Sequence, residues 1–134
     1  MLRSGMPVEL VGWDISITSA VVTEQRQAEI RALGTTWANF SIDIQATLQN
    51  YAWEETRLEG PDFPDPIAMA HALDPSLSTM EHLGVDIAIG SEPMRGTMIV
   101  DHYGFAELAK NAHVVTHYPE DDFFALLYEL LGGD

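Results

Sequence analysis

Apolar residues recur along this chain at two spacings, and each spacing names an element. Between residues 8 and 17 they alternate. Val11, Trp13, Ile15 and Ile17 share one side of an extended chain, which predicts a buried strand, with Gly12 leaving room for a close neighbour. From Thr23 the spacing widens to three and four. Thr23 is placed to cap a helix running to about Leu33, and Gly34 follows as its stop. Thr35 or Thr36 opens a longer helix in which Trp37, Phe40, Ile44, Leu48 and Tyr51 form one stripe. Core packing is the default reading of such a stripe, and an oligomer contact is the other.

Residues 59–64, Glu-Gly-Pro-Asp-Phe-Pro, are rich in turn formers and read as a loop. Asp65 as N-cap and Pro66 as first residue open the next helix, with Ile67, Ala70 and Leu73 facing inward and Asp74-Pro75 ending it. Leu83, Val85, Ile87 and Ile89 alternate as a strand. A turn at Pro93 to Gly96 leads to two more strands, at 96–101 and 111–118. The last helix starts among the acids after Pro119 and runs through Phe124, Leu127, Leu130 and Leu131. The pattern is mixed α/β in a single domain over residues 1–134, with strands of a mixed sheet and flanking helices. A buried strand so near residue 1 points to a sheet whose other strands lie upstream or on another chain.

Charge narrows the partners. Twenty-one acidic residues against 6 basic ones give a net charge of −15. Such a surface repels nucleic-acid polymers and anionic membranes, and it accepts neutral ligands and cations. The 46% hydrophobic and 20% charged content is globular. Without cysteine there are neither disulfides nor thiolate metal sites. The apolar runs are too short to span a bilayer, and the first residues lack a signal-peptide core, so a cytoplasmic protein is expected.

Few motifs carry chemistry by themselves. No Gly-rich phosphate loop or Gly-x-Ser-x-Gly elbow occurs, and Ser, His and Asp show no triad spacing. Among His71, His82, His102, His113 and His117, the last two are four apart on one predicted strand and share its face; zinc would need two further ligands. Asp65 has two readings. It is a helix cap, or it is a carboxylate for a hard cation such as calcium, which takes six to eight oxygens.

Four segments, taken in order, carry a resemblance. Residues 3–14, Arg-Ser-Gly-Met-Pro-Val-Glu-Leu-Val-Gly-Trp-Asp, are similar to the strand after the ribose-binding region of inosine–uridine-type nucleoside hydrolases. Pro64-Asp65-Pro66-Ile67-Ala68-Met69-Ala70, followed by Leu73-Asp74-Pro75, resembles the family's late His-Asp-Pro motif. Arg95-Gly96 through Asp101 resembles its Arg-Gly turn and strand, and Asn111-Ala112-His113-Val114 with Phe123-Phe124 through Leu131 its final strand and helix. The resemblance implies the C-terminal portion of that fold, in an enzyme that hydrolyses the N-glycosidic bond of ribonucleosides.

It also implies that Asp65 is the late calcium ligand, in a site where calcium holds the ribose hydroxyls and the attacking water. Tyr51, Trp53 and Phe63 are the aromatics placed to reach the base, and Asp14 is a supporting carboxylate near the site. Proline at 64 stands where relatives often carry a histidine that protonates the leaving base. The family's Asp-x-Asp-x-x-x-Asp-Asp cluster and its Glu-x-Asn segment are not in these 134 residues. The chain alone is therefore expected to be inactive, with a homo-oligomer or a missing N-terminal part as its partner. The rival expectation is a non-catalytic binding or assembly module that keeps half of the fold.

Overall fold

The computed structural model describes residues 1–90 and 92–133, with the side chains of Asn50, Ala52 and Trp53 outside the described residues. The elements are β1 (Glu9–Leu10), α1 (Trp13–Ser19), α2 (Glu24–Ala32), α3 (Thr36–Asp43), α4 (Ala46–Tyr51), a π-turn at Ala52–Thr56, α5 (Pro64–Leu73), β2 (Thr79–Ile87), β3 (Met98–Asp101), β4 (Lys110–His117) and α6 (Glu120–Gly132). They fall into two compact units, residues 1–10 with 79–116 and residues 11–78 with 117–134. Among the described residues no helix is long and apolar enough to cross a membrane.

The first unit is a mixed four-stranded sheet in the order β1-β4-β2-β3. β1 runs parallel to β4 with Glu9 opposite His113, and β2 runs antiparallel to β3 with Val85 opposite Val100. Val8, Leu83, Val85, Ala112 and Val114 form the core on one face. The side chain of Asn111 donates to the carbonyl of Val85 at 2.9 Å and accepts from its N–H at 2.8 Å, so an amide side chain does the work of a ladder pair. Strands alternate faces, so Glu9, His82 and His113 lie opposite that core. There the rings of His82 and His113 stack at 4.7 Å, and it is with His82, across strands, that His113 pairs.

The second unit holds the helices. Thr23 caps α2 through the N–H of Arg26, and Gly34 follows with φ of +74°, the left-handed turn that favours glycine. Thr35 accepts from the N–H of Ala38 and donates to the carbonyl of Leu131 at 2.6 Å, which joins the start of α3 to the end of α6. Arg26 bridges α2 to α6 through Glu120 at 3.0 Å and Asp121 at 3.1 Å, and lies 4.2 Å over the Phe124 ring.

Three expectations change here. The strand expected over residues 8–17 ends at Leu10, and α1 takes its place. The buried side chains after Gly12 are Ile15, Ser16 and Ser19, a helical spacing, while Trp13 is exposed. The longer helix breaks at Ile44–Gln45 into α3 and α4, and its apolar stripe is exposed. Ala38 and Ile42 are the buried residues of α3. Leu73, expected to face inward, is exposed, and Ile89, expected in the strand, lies beyond β2 and is exposed.

Candidate active site

The site is built from two helix starts. α1 and α5 pack on each other. Gly12 precedes α1 and Phe63 precedes α5, and neither supplies a capping side chain. α5 begins at Pro64, one residue before the expected start, because proline fits the first helical position. Asp65 is therefore the second residue of α5, just as Asp14 is the second residue of α1. Both carboxylates sit in a first turn, where the positive end of the helix favours them. Asp65 is exposed, and its carboxylate makes no hydrogen bond or ion pair with the described residues. The capping role that explains such a residue locally is not used.

Asp62 ties the two starts together. The indole N–H of Trp13 donates to its Oδ2 at 3.0 Å, and the hydroxyl of Ser16 donates to the same oxygen at 2.5 Å. The loop that carries Asp62 is stapled to the α1–α2 connection. The N–H of Phe63 reaches the carbonyl of Ala20 at 3.0 Å, and the N–H of Val22 reaches that of Pro61 at 2.9 Å. At Gly60 a Cβ would strike the carbonyl of Val22, so only glycine lets these backbones meet. What read as a turn-rich loop is a strap that fixes the entry to α5. Sequence reasoning missed Asp62. Its one signal was an acid in a Gly-Pro loop of a chain that also carries Gly-Trp-Asp.

The aromatic candidates separate. Phe63 is 3% exposed, so its ring is buried and not open to a ligand. Tyr51, at the end of α4, is exposed. The side chain of Trp53 lies outside the described residues, and its backbone is in the π-turn that follows α4. Pro64 is exposed and has no proton to donate. A groove of about 1080 Å³ adjoins this turn, lined by Glu24, Arg26, Gln49, Glu54, Glu59 and Glu120 among others; Asp14, Phe63 and Asp65 are not in its wall.

Among the described residues no three His, Asp or Glu side chains converge on one point. Asp65 fits as one oxygen donor for a hard cation, and the chain's own donors stop short of the six to eight such an ion takes.

Residues 1–125 match the family described as Inosine-uridine preferring nucleoside hydrolase. The chain belongs to that family. Members of the nucleoside hydrolase family act on N-glycosyl bonds. The Pyrimidine-specific ribonucleoside hydrolase RihA of Shewanella woodyi is 28% identical over 98% of this chain and 42% of its own length. A Probable ribonucleoside hydrolase of Dictyostelium discoideum is 34% identical over 50% of this chain and 20% of its own. The solved Purine-Preferring Ribonucleoside Hydrolase from Gardnerella vaginalis superposes with a TM-score of 0.73 at 25% identity, over 98% of this chain and 42% of that one. The chain thus spans less than half the length of these nucleoside hydrolases, and the mixed α/β fold is the one they share.

Proposed function

We propose that these 134 residues carry one metal-binding carboxylate and the base-facing aromatics of a ribonucleoside hydrolase site that is completed by other residues of the family's chain. The observation that carries the reading is Asp65: exposed, without a hydrogen bond or ion pair among the described residues, not needed as a cap, and set within Pro64-Asp65-Pro66 of the family-matched region. Asp65 adds an oxygen and negative charge to a calcium site. Asp14, at the equivalent place on α1, supports it. Tyr51 and Trp53 stack on the base, an interaction worth about 1–3 kcal/mol per base in other aromatic platforms. Phe63, which is buried, supports the loop before α5 rather than meeting the base. Leaving-group protonation falls to a group other than Pro64.

The test joins this chain to the aspartate-bearing N-terminal portion of a relative and measures base release from inosine and uridine with calcium present. The isolated chain is expected to release no base above buffer. The joined protein is expected to turn over, and its Asp65→Asn variant to lose about 100-fold or more, the scale for an essential metal ligand or its close support. Turnover by the isolated chain, or an Asp65→Asn protein equal to wild type in activity and calcium affinity, overturns the reading. A joined protein that folds, binds nucleoside and never cleaves it favours the non-catalytic module instead.

A further inference from the structure

β2 and β4 are neighbours in the sheet. The hydroxyl of Thr116 on β4 donates to the carbonyl of Thr79 on β2, and Asn111 pairs with the backbone of Val85 further along, so the two strands run antiparallel. His82 lies three residues on from Thr79 and His113 three residues back from Thr116, which sets the two histidines opposite each other. Their rings stack at 4.7 Å with 14° between the planes. Both side chains are exposed, and neither ring makes a hydrogen bond or ion pair with the described residues. On its other flank His113 is in register with Glu9 of β1. One row across three strands therefore reads Glu9, His113, His82, on the sheet face away from the core of Val8, Val85 and Val114.

Cross-strand packing accounts for the contact between the rings, and it leaves their nitrogens open. A neutral imidazole keeps one lone pair for a ligand. We propose that His82 and His113 form a two-histidine site for a divalent transition ion of the zinc, nickel and copper class, with water completing its coordination. Imidazole suits those ions, whereas calcium takes oxygens, so the ion that fits this pair is not the one that fits Asp65. Two metal–nitrogen bonds of about 2.0–2.1 Å at a tetrahedral angle put the ligating nitrogens about 3.3 Å apart. Rings stacked at 4.7 Å reach that spacing by tilting their nitrogen edges together, a rotation that exposed side chains make without moving the strands. Glu9, in register with His113, is placed to accept its second ring N–H, the carboxylate–histidine–metal arrangement that fixes the ring and raises its basicity. The net charge of −15 adds a general attraction for cations. The inference does not depend on the proposed chemistry.

Zinc and nickel, each as the chloride, are titrated into the 134-residue chain at about pH 7.5, where imidazole is mostly neutral. Calorimetry reads the affinity, and nuclear magnetic resonance of the histidine rings reads which of them respond. One ion per chain is expected, with the rings of His82 and His113 shifting together and those of His102 and His117 staying in place. Calcium is expected to move neither ring of the pair. His82→Ala and His113→Ala are each expected to weaken zinc binding about tenfold or more while circular dichroism stays unchanged, and Glu9→Gln to weaken it about tenfold. His117→Ala, on the same strand as His113, is expected to bind as wild type does. Rings of His82 and His113 that stay silent to both metals in the unaltered chain overturn the inference. So does zinc binding that survives either substitution in the pair, or that is lost equally in His117→Ala. An unchanged affinity in Glu9→Gln overturns the part given to Glu9.

Discussion

Asp65 and Thr23 show how one kind of position, the start of a helix, carries two different burdens. Thr23 accepts the N–H of Arg26, so Thr23→Ala is expected to cost about 1 kcal/mol in urea unfolding, the usual price of a lost cap. Asp65 accepts no N–H at the start of α5. Asp65→Ala and Asp65→Asn are expected to cost less than about 0.5 kcal/mol, from the weakened helix-dipole interaction alone. A loss near 1 kcal/mol in the same unfolding experiment would make Asp65 a cap after all. Tyr118 makes the opposite case. It is fully buried, and its hydroxyl has no hydrogen-bond partner among the described residues. Burial first, then the negative charges of Asp74 and Asp122, push its hydroxyl above the ordinary 10.0. The raised value makes neutral Tyr118 favourable to the fold up to about pH 10, and that contribution is lost as pH climbs through the folded value. Tyr118→Phe removes a buried polar group that nothing satisfies, so it is expected to leave stability equal or about 1 kcal/mol higher at neutral pH and to flatten the decline in alkali. Calorimetry at pH 7 and above pH 10 checks both, and a variant that unfolds early at pH 7 shows the hydroxyl to be satisfied.

At the scale of elements, α2 and α6 are joined by a polar seam rather than by apolar contact alone. Burial opposes the charge on Arg26, but hydrogen bonds to Tyr128, Glu120 and Asp121 outweigh it and hold the guanidinium above its ordinary value. The hydroxyl of Tyr128 also donates to Glu29 at 2.5 Å. That bond, followed by those from Gln25 and Arg26, keeps the Glu29 carboxyl below its ordinary 4.5. A depressed carboxylate supports the fold above pH 4.5, and the support fades as pH falls through the lowered value. Tyr128→Phe is therefore expected to move the midpoint of acid unfolding to higher pH, read by circular dichroism. An unchanged midpoint would show that the hydroxyl leaves Glu29 indifferent to folding. Arg26→Met, which keeps the stem over Phe124 and drops the charge, is expected to destabilise by about 1 kcal/mol or less, since Glu120 and Asp121 are exposed and water replaces the guanidinium.

For the whole molecule, family membership and length pull in different directions. The chain matches the nucleoside hydrolase family over residues 1–125 and yet covers 42% of the Shewanella relative. Its described residues hold no convergent metal group. The expected outcome is a chain that folds, as its two compact cores allow, and does not cleave nucleosides until the family's aspartates are supplied. Calcium titration by calorimetry on the isolated chain is expected to show weak binding at most, because among the described residues no three carboxylate or imidazole groups converge to supply the oxygens such an ion takes. Tight, stoichiometric binding would mean that this chain forms a site of its own.

The sequence alone determined the features set by neighbours in the chain. Thr23 and Gly34 bracket α2, the acids after Pro119 start α6, and β2, β3 and β4 form close to where strands were expected, because caps, turns and short-range periodicity act over a few residues. Ordered motifs gave the family for the same reason, since each is local. The tertiary structure decided what depends on the other side of an element. Val11, Trp13, Ile15 and Ile17 alternate like a strand, yet Ile15, Ser16 and Ser19 found partners at helical spacing, and α1 formed. The stripe from Trp37 to Tyr51 has the period of a core face, and periodicity cannot tell a face that meets the protein from one that meets a second copy or water. Asp65 looked like a cap until Pro64 took the first position of α5. Phe63 looked available, yet it is buried in the folded chain. Burial is a property of pairs of distant segments, and local sequence fixes only one member of each pair.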